Sequence, residues 1–290
     1  MEQYKKIYEF LVWDNCNNNC KFCFQREHPR LFNKDKRQNI LDETIKFIQS
    51  DKFIKGSHIL ICGGEIFDKP SDFEILDSFF CKILEFMVNG TIDLLYINTN
   101  LIYKDLTGVV QLIRRIQTLN LFDRLKFTTS YDLEGRFKSK DDENLMLSNL
   151  KLLTGIYKDL KVVSNTILTK PVCESIISAQ FSVKEFMETY HCWVNLIPYI
   201  ILDETLTPSR EKIFSALKKV DGECEGYLQK YVPNMAITQE KWLYMYKDNG
   251  FKFCSCEIDP VCGHSINFKR YSSSGTCFCC DIKEVFNDKI

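Results

Sequence analysis

The chain reads as an α/β protein: an open, partial (β/α)6 barrel with a small Cys-rich metal-binding extension at its C-terminal end. Three observations predict this. Six short apolar runs alternate with six amphipathic stretches of helical period between Tyr8 and Val220. Three cysteines, Cys16, Cys20 and Cys23, crowd the segment directly after the first run. Six more fall between residues 254 and 280, where the alternation has stopped.

In chain order, strands are expected at Tyr8–Trp13, His58–Cys62, Asp93–Asn98, Arg124–Thr129, Lys161–Thr166 and Cys192–Pro198. Helices are expected at Leu41–Ser50, Ser71–Met87, Leu106–Leu119, Asp141–Tyr157, Glu174–Thr189 and Ser209–Val220. Asp42 ahead of Glu43, and the box Ser71-Asp72-Phe73-Glu74, carry the chemistry of helix starts. A strand followed by a helix six times over indicates a parallel sheet with right-handed crossovers. Six units cannot close the eight-stranded barrel, so the barrel stays open. From Asp221 the pattern changes, with one helical stretch near Thr238–Lys247 and then a tail rich in Cys, Gly and Ser. The division is therefore 1–220 for the barrel and 221–290 for the extension. About 70 residues are too few to stand alone without a metal staple.

Bulk properties narrow the classes. With 290 residues and 45% apolar content there is ample material for a core. A net charge of −1 gives no broad electrostatic footprint for nucleic acid or a membrane surface. No leader precedes the first strand and no apolar run approaches about 18 residues, so a cytoplasmic protein is expected. Fourteen cysteines would suit a secreted disulfide scaffold only in a short chain with a leader. Their clustering speaks for metal. Cys62, Cys81, Cys173, Cys192 and Cys224 lack metal-like spacing and read as buried apolar residues.

The stretch Trp13-Asp-Asn-Cys16-Asn-Asn-Asn-Cys20-Lys-Phe-Cys23 cannot turn three thiols into a core, and its Asn-rich filler suits a loop wrapped around something. Thiolates this close are ligands for soft metals or an iron–sulfur cluster. A zinc loop is the alternative, but zinc sites want a fourth ligand, and no nearby cysteine supplies it. The spacing C-x3-C-x2-C, with the aromatic Phe22 before the last Cys, resembles the signature of the radical S-adenosylmethionine (SAM) superfamily. That resemblance implies a [4Fe–4S] cluster held by Cys16, Cys20 and Cys23, its fourth iron chelated by the amino and carboxylate groups of SAM.

Further candidates stand at the strand ends, where α/β barrels place their chemistry. Strand two ends in Cys62-Gly63-Gly64-Glu65, whose glycines let backbone approach a ligand closely. The resemblance makes this loop the seat of the methionyl amino group. Asn98 and Asn100, in Ile97-Asn98-Thr99-Asn100, either meet the methionine and ribose or simply cap the loop before the next helix. In Thr129-Ser130-Tyr131-Asp132, Ser130 resembles the family's strand-four hydroxyl near ribose or carboxylate. Arg136 is a candidate cation for that carboxylate and Asp132 a candidate for ribose or substrate, with a solvated surface pair as the alternative. Asn165 loosely matches a ribose contact. Leu196, with Ile197, either covers adenine or packs the core. His191 falls at the N-terminal end of strand six, the wrong end for catalysis, and reads as structural. His28, with Arg26 and Arg30, fits substrate contact and bare surface equally well.

The tail contains Cys254, Cys256, Cys262, Cys277, Cys279 and Cys280. Cys262, Gly275 and Cys280 fit C-x(9–15)-G-x4-C, which resembles the opening of SPASM and twitch extensions. These carry auxiliary iron–sulfur clusters. The chain ends ten residues after Cys280, short of a full SPASM module, so a one-cluster twitch-like arrangement fits better. Cys262, Cys280 and two of the other four are its candidate ligands. Four thiolates in a small module suit zinc as well.

The resemblance implies reductive cleavage of SAM to a 5′-deoxyadenosyl radical that takes a hydrogen from a substrate. An electron donor of flavodoxin or ferredoxin type is then needed. The open barrel and the tail lean towards a peptide or protein substrate. The alternatives are a radical SAM enzyme acting on a nucleotide or other small molecule, or a non-catalytic metal-binding module. The last leaves Gly63-Gly64-Glu65 and the six-fold alternation without purpose.

Overall fold

The computed structural model describes residues 7–13, 16–21, 23, 34–69, 72–197, 204–225, 227 and 268–271. Seven strands make one sheet: β1 (Ile7–Trp13), β2 (Ser57–Gly63), β3 (Ile92–Asn98), β4 (Leu125–Ser130), β5 (Lys161–Ile167), β6 (Trp193–Ile197) and β7 (Phe268–Tyr271). Their order is β6-β5-β4-β3-β2-β1-β7, and every neighbouring pair is parallel. The helices are α1 (Lys34–Gln49), α2 (Phe73–Val88), α3 (Thr107–Thr118), α4 (Lys140–Ile156), α5 (Lys170–Ile177), α6 (Val183–Tyr190) and α7 (Arg210–Glu223). The fold is the expected α/β one, an open parallel sheet of βα units with its sequential strands side by side. No helix among the described residues is long and apolar enough to cross a membrane.

The sheet has two unlike faces because side chains alternate along a strand. On β4, Leu125, Phe127 and Thr129 are buried while Lys126, Thr128 and Ser130 are half-buried. The buried face packs on the helices. α2 buries Leu76, Phe79, Phe80, Ile83, Leu84 and Met87, and α3 buries Val109, Leu112, Ile113 and Ile116, both at helical spacing. Each such side chain contributes about 1.5–3 kcal/mol by leaving water. The half-buried face lines the open interior.

Several local expectations need correction. The helix expected at Glu174–Thr189 is two helices, α5 and α6, because Ala179 takes a left-handed φ of 61° and the amides of Gln180 and Phe181 both turn back to the Ser175 carbonyl. α1 starts at Lys34, well before Leu41, so Asp42 lies inside it and accepts from Gln38 Nε2 at 2.8 Å. Asp72 precedes α2 without capping it; its carboxylate pairs with Arg37 of α1 instead. The side-chain caps are Ser139, Thr169, Ser182 and Ser209. β7 was not expected at all, and the helix expected near Thr238–Lys247 lies outside the described residues.

α7 continues past residue 220 to Glu223. Just beyond it the Tyr227 hydroxyl donates to the Val194 carbonyl at 2.8 Å and accepts the Leu196 amide at 3.1 Å. The chain after α7 is therefore tied to β6.

Candidate active site

The C-terminal ends of β1 to β5 are hydrogen-bonded into one assembly. The cysteine loop leaves β1 after the buried Trp13, and Cys16, Cys20 and Cys23 are half-buried and unbridged. The Cys23 amide closes a turn on the Cys20 carbonyl at 3.2 Å. Asn18, only 3% exposed, gives its backbone N–H to Cys16 Sγ and its Nδ2 to Cys20 Sγ, both at 3.4 Å. Asn100 Nδ2 reaches Cys16 Sγ at 3.6 Å and Asn17 Oδ1 at 2.7 Å. Arg136 Nη1 stands 3.8 Å from Cys20 Sγ. Amide and guanidinium donors thus converge on the two sulfurs. Sequence reading passed over Asn17 and Asn18 as filler, although three consecutive asparagines between cysteines were a usable signal.

The Gly63-Gly64-Glu65 turn is one contact away. Gly63 has φ +143°, and a Cβ there would stand 2.1 Å from the Trp13 carbonyl oxygen. The end of β1 approaches Gly63 closely. Gly64 N–H then donates to the Trp13 carbonyl at 2.6 Å. Glu65 is fully buried, and its carboxylate accepts from the Phe67 amide at 3.1 Å, the Thr99 hydroxyl at 2.9 Å and the Asn100 amide. Asn100 links this turn to the cysteines. Leu101, directly after it, holds a left-handed φ of 57°, strain of the kind kept at functional sites. Asn100 Oδ1 accepts the Ile102 amide at 2.8 Å within the loop before α3, whose own N-cap position is Leu106.

Burial pushes Glu65 from its ordinary 4.5 up to about 7, against the pull of the donors from Asn100, Phe67 and Thr99. The folded carboxyl therefore holds its proton more tightly than the unfolded one. Glu65's contribution to stability is greatest below about pH 4.5 and falls as the pH rises to about 7, by on the order of 3 kcal/mol at ~1.4 kcal/mol per pH unit. Glu65→Gln is expected to remove this slope, read as urea midpoints across that window. An unchanged slope would assign it to other groups.

On the far side, Asp132 and Arg136 form a buried ion pair, not a solvated one. Asp132 Oδ1 also accepts the Ile167 amide at 2.6 Å, locking the loop after β4 to the end of β5. Burial alone would lower the Arg136 guanidinium, but Asp132 and then Cys20 hold it above its ordinary value. The Lys21 amide donates to the Gly135 carbonyl at 2.7 Å, so this loop clasps the cysteine loop. Ser130 ends β4 opposite Asn165, whose Oδ1 accepts from Asn195 Nδ2 at 3.1 Å. Asn98 lies on the same half-buried face of β3 as Asn100.

Leu196 is not brought to the site. It is 4% exposed in the core, on the helix-facing side of β6, whereas Ile197 takes the interior side. His191 ends α6 in a left-handed conformation, at the N-terminal end of β6. Cys62, Cys173 and Cys192 are buried as expected, and Cys62 Sγ donates to Glu9 Oε1 at 3.2 Å. Cys81 and Cys224 are only half-buried. Phe22, Arg26, His28, Arg30, Cys254, Cys256, Cys262, Cys277, Cys279 and Cys280 lie outside the described residues.

Comparison with solved structures uses this same architecture. The anaerobic sulfatase-maturating enzyme anSMEcpe with AdoMet bound matches with a TM-score of 0.52 at 14% identity, covering 78% of this chain and 62% of that one. The likeness is one of fold: an open parallel α/β sheet shared with this AdoMet-bound enzyme. The same enzyme with AdoMet and the Cp18Cys peptide matches at 0.51 and 14%, over 77% of this chain and 61% of that one. This chain thus spans about three-fifths of that neighbour's length. No family model and no curated protein matches it.

The loop suits the [4Fe–4S] cluster that the sequence resemblance implies. Among the described residues, no three His, Cys, Asp or Glu close on a point that would hold a single metal ion. Burial pushes the Cys16 thiol up to about 11, opposed by the Asn18 amide and reinforced by Glu65, Cys20 and Cys23. Three thiolates here would repel one another, and a cationic iron core relieves that repulsion.

Proposed function

We propose that this chain is a radical SAM enzyme, with Cys16, Cys20 and Cys23 holding a [4Fe–4S] cluster and SAM bound against Gly63-Gly64-Glu65. One observation carries the reading: Asn100 joins the Glu65 carboxylate of the Gly-Gly-Glu turn to Cys16, one of the three unbridged thiols. When bound, the cluster and SAM supply one-electron cleavage to methionine and a 5′-deoxyadenosyl radical that takes a hydrogen from a substrate. The residues themselves position and tune. Asn18, Asn100 and Arg136 direct donors at the cysteine sulfurs, and such bonds set a cluster's potential. Glu65 acts as a strut that orients Asn100, while Ser130, Asn98 and Asn165 offer polar groups to the nucleoside and amino-acid parts of SAM.

The substrate in this reading is a peptide or protein, supported by the open sheet edge and by likeness to an enzyme solved with a bound peptide. The electron comes from a flavodoxin- or ferredoxin-type donor in a cytoplasmic setting. Residues 1–220 are the catalytic unit and 221–290 an extension with a second cluster or zinc.

Anaerobic reconstitution with iron and sulfide, followed by SAM and dithionite, tests the reading. Wild type is expected to release 5′-deoxyadenosine. Cys20→Ala is expected to release none and to hold about four fewer irons per chain. An unchanged yield in Cys20→Ala would refute it.

A further inference from the structure

The turn after β3, residues 99–103, touches both the cysteine loop and the Gly-Gly-Glu turn. At its centre Leu101 has φ +57°, a left-handed conformation that a leucine keeps only where its surroundings impose it. Directly before it, Asn100 gives its backbone N–H to Glu65 and its Nδ2 to Cys16 Sγ at 3.6 Å. Directly after it, the Ile102 carbonyl accepts from Asn17 Nδ2 of the cysteine loop. The aim of Asn100 therefore depends on the shape of this turn.

That shape is held from the helix layer. Asn149, in α4 and 48 residues from Leu101, is only 6% exposed. Its Nδ2 donates to the Leu101 carbonyl at 2.9 Å and to the Tyr103 carbonyl at 2.8 Å. A side-chain amide nitrogen carries two hydrogens, and here both point into the turn. With those donors removed, the two carbonyls would face an apolar group, a penalty the turn escapes only by changing shape.

We propose that Asn149 is a positioning residue for the cluster: by holding the 99–103 turn it keeps the Asn100 amide aimed at Cys16 Sγ and so raises the cluster's reduction potential. This rests on the radical SAM reading for the presence of the cluster. An electron added to a cluster increases the negative charge on its sulfurs, so an N–H donor favours the reduced form. Losing that donor lowers the potential and makes the cluster harder to reduce, although no ligand has been touched.

Two measurements on Asn149→Leu test the role. In the protein without cluster, hydrogen exchange read by mass spectrometry is expected to show residues 99–103 exchanging at least about tenfold faster than in wild type, with β2 unchanged. In the reconstituted protein, a redox titration followed by electron paramagnetic resonance is expected to give a threefold shift of the one-electron equilibrium towards the oxidised form, about 28 mV at ~59 mV per tenfold. Leu150→Ala, at the next buried position of α4, is the destabilised control and is expected to leave the potential alone. In an Asn100→Ala background, Asn149→Leu is expected to lower the potential no further. Unchanged exchange or an unchanged potential in Asn149→Leu overturns the proposal, as does the same shift in Leu150→Ala or an additive one in the double variant. The exchange measurement needs no cluster, so it decides the positioning role even where the variant loads iron poorly. Absence of iron uptake or of 5′-deoxyadenosine in wild type would instead count against the radical SAM reading, and the effect on potential would fall with it.

Discussion

Gly63→Ala is expected to lose about 2–6 kcal/mol of stability and to prevent cluster retention. Two independent costs meet at this position. A new Cβ would stand 2.1 Å from the Trp13 carbonyl oxygen and 2.9 Å from both its carbonyl carbon and its amide nitrogen, all main-chain atoms with no flexible end to swing away. Overpacking of this kind costs about 1–3 kcal/mol. The φ of +143° adds backbone strain, again about 1–3 kcal/mol, for any residue with a side chain. The carbonyl that must move also accepts the Gly64 amide, and Trp13 stands three residues before Cys16, so the displacement runs into the cysteine loop. Gly56→Ala is the control: φ is +75° there, but a Cβ meets nothing within 4 Å, so only strain applies. Urea unfolding of both variants, with iron content as the second readout, decides. Similar losses in the two would remove the case for close approach at Gly63.

Arg136→Met is the second large effect, with an expected loss of about 3–5 kcal/mol, because it leaves the Asp132 carboxylate buried without its cation. The double variant Asp132→Leu, Arg136→Met removes both charges and is expected to recover part of that loss. It still forfeits the bond to the Ile167 amide and the donor beside Cys20 Sγ. The coupling follows from a double-mutant cycle on unfolding free energies. A single-variant loss below about 1 kcal/mol would mean that the pair behaves like an exposed one.

What could be read in the chain followed from period and spacing. All six strands of the barrel fall within a residue or two of their expected bounds, because apolar runs bounded by polar turns are local signals. Features that depend on tertiary placement were not legible. Val194 and Leu196 look no different from Ile197 in the sequence, yet strand parity puts the first two against helices and the third in the interior. The break between α5 and α6 lacks glycine and proline, since Ala179 itself takes the left-handed turn; Ser182 with Glu185 was the missed start signal. β7 is four residues, two of them basic, and its pairing with β1 spans almost the whole chain. Asp132 and Arg136 have the sequence look of a surface pair, and only the closure of the β4 loop over the cysteines buries them.

Placing β7 beside β1 has a kinetic consequence. The strand that delivers the cysteine loop sits inside the sheet, between β2 and a partner made some 250 residues later. During synthesis one edge of β1 stays unpaired until residues 268–271 have left the ribosome, and contacts of such separation form late. The thiols therefore pass through an interval in which their supporting strand has only half its neighbours.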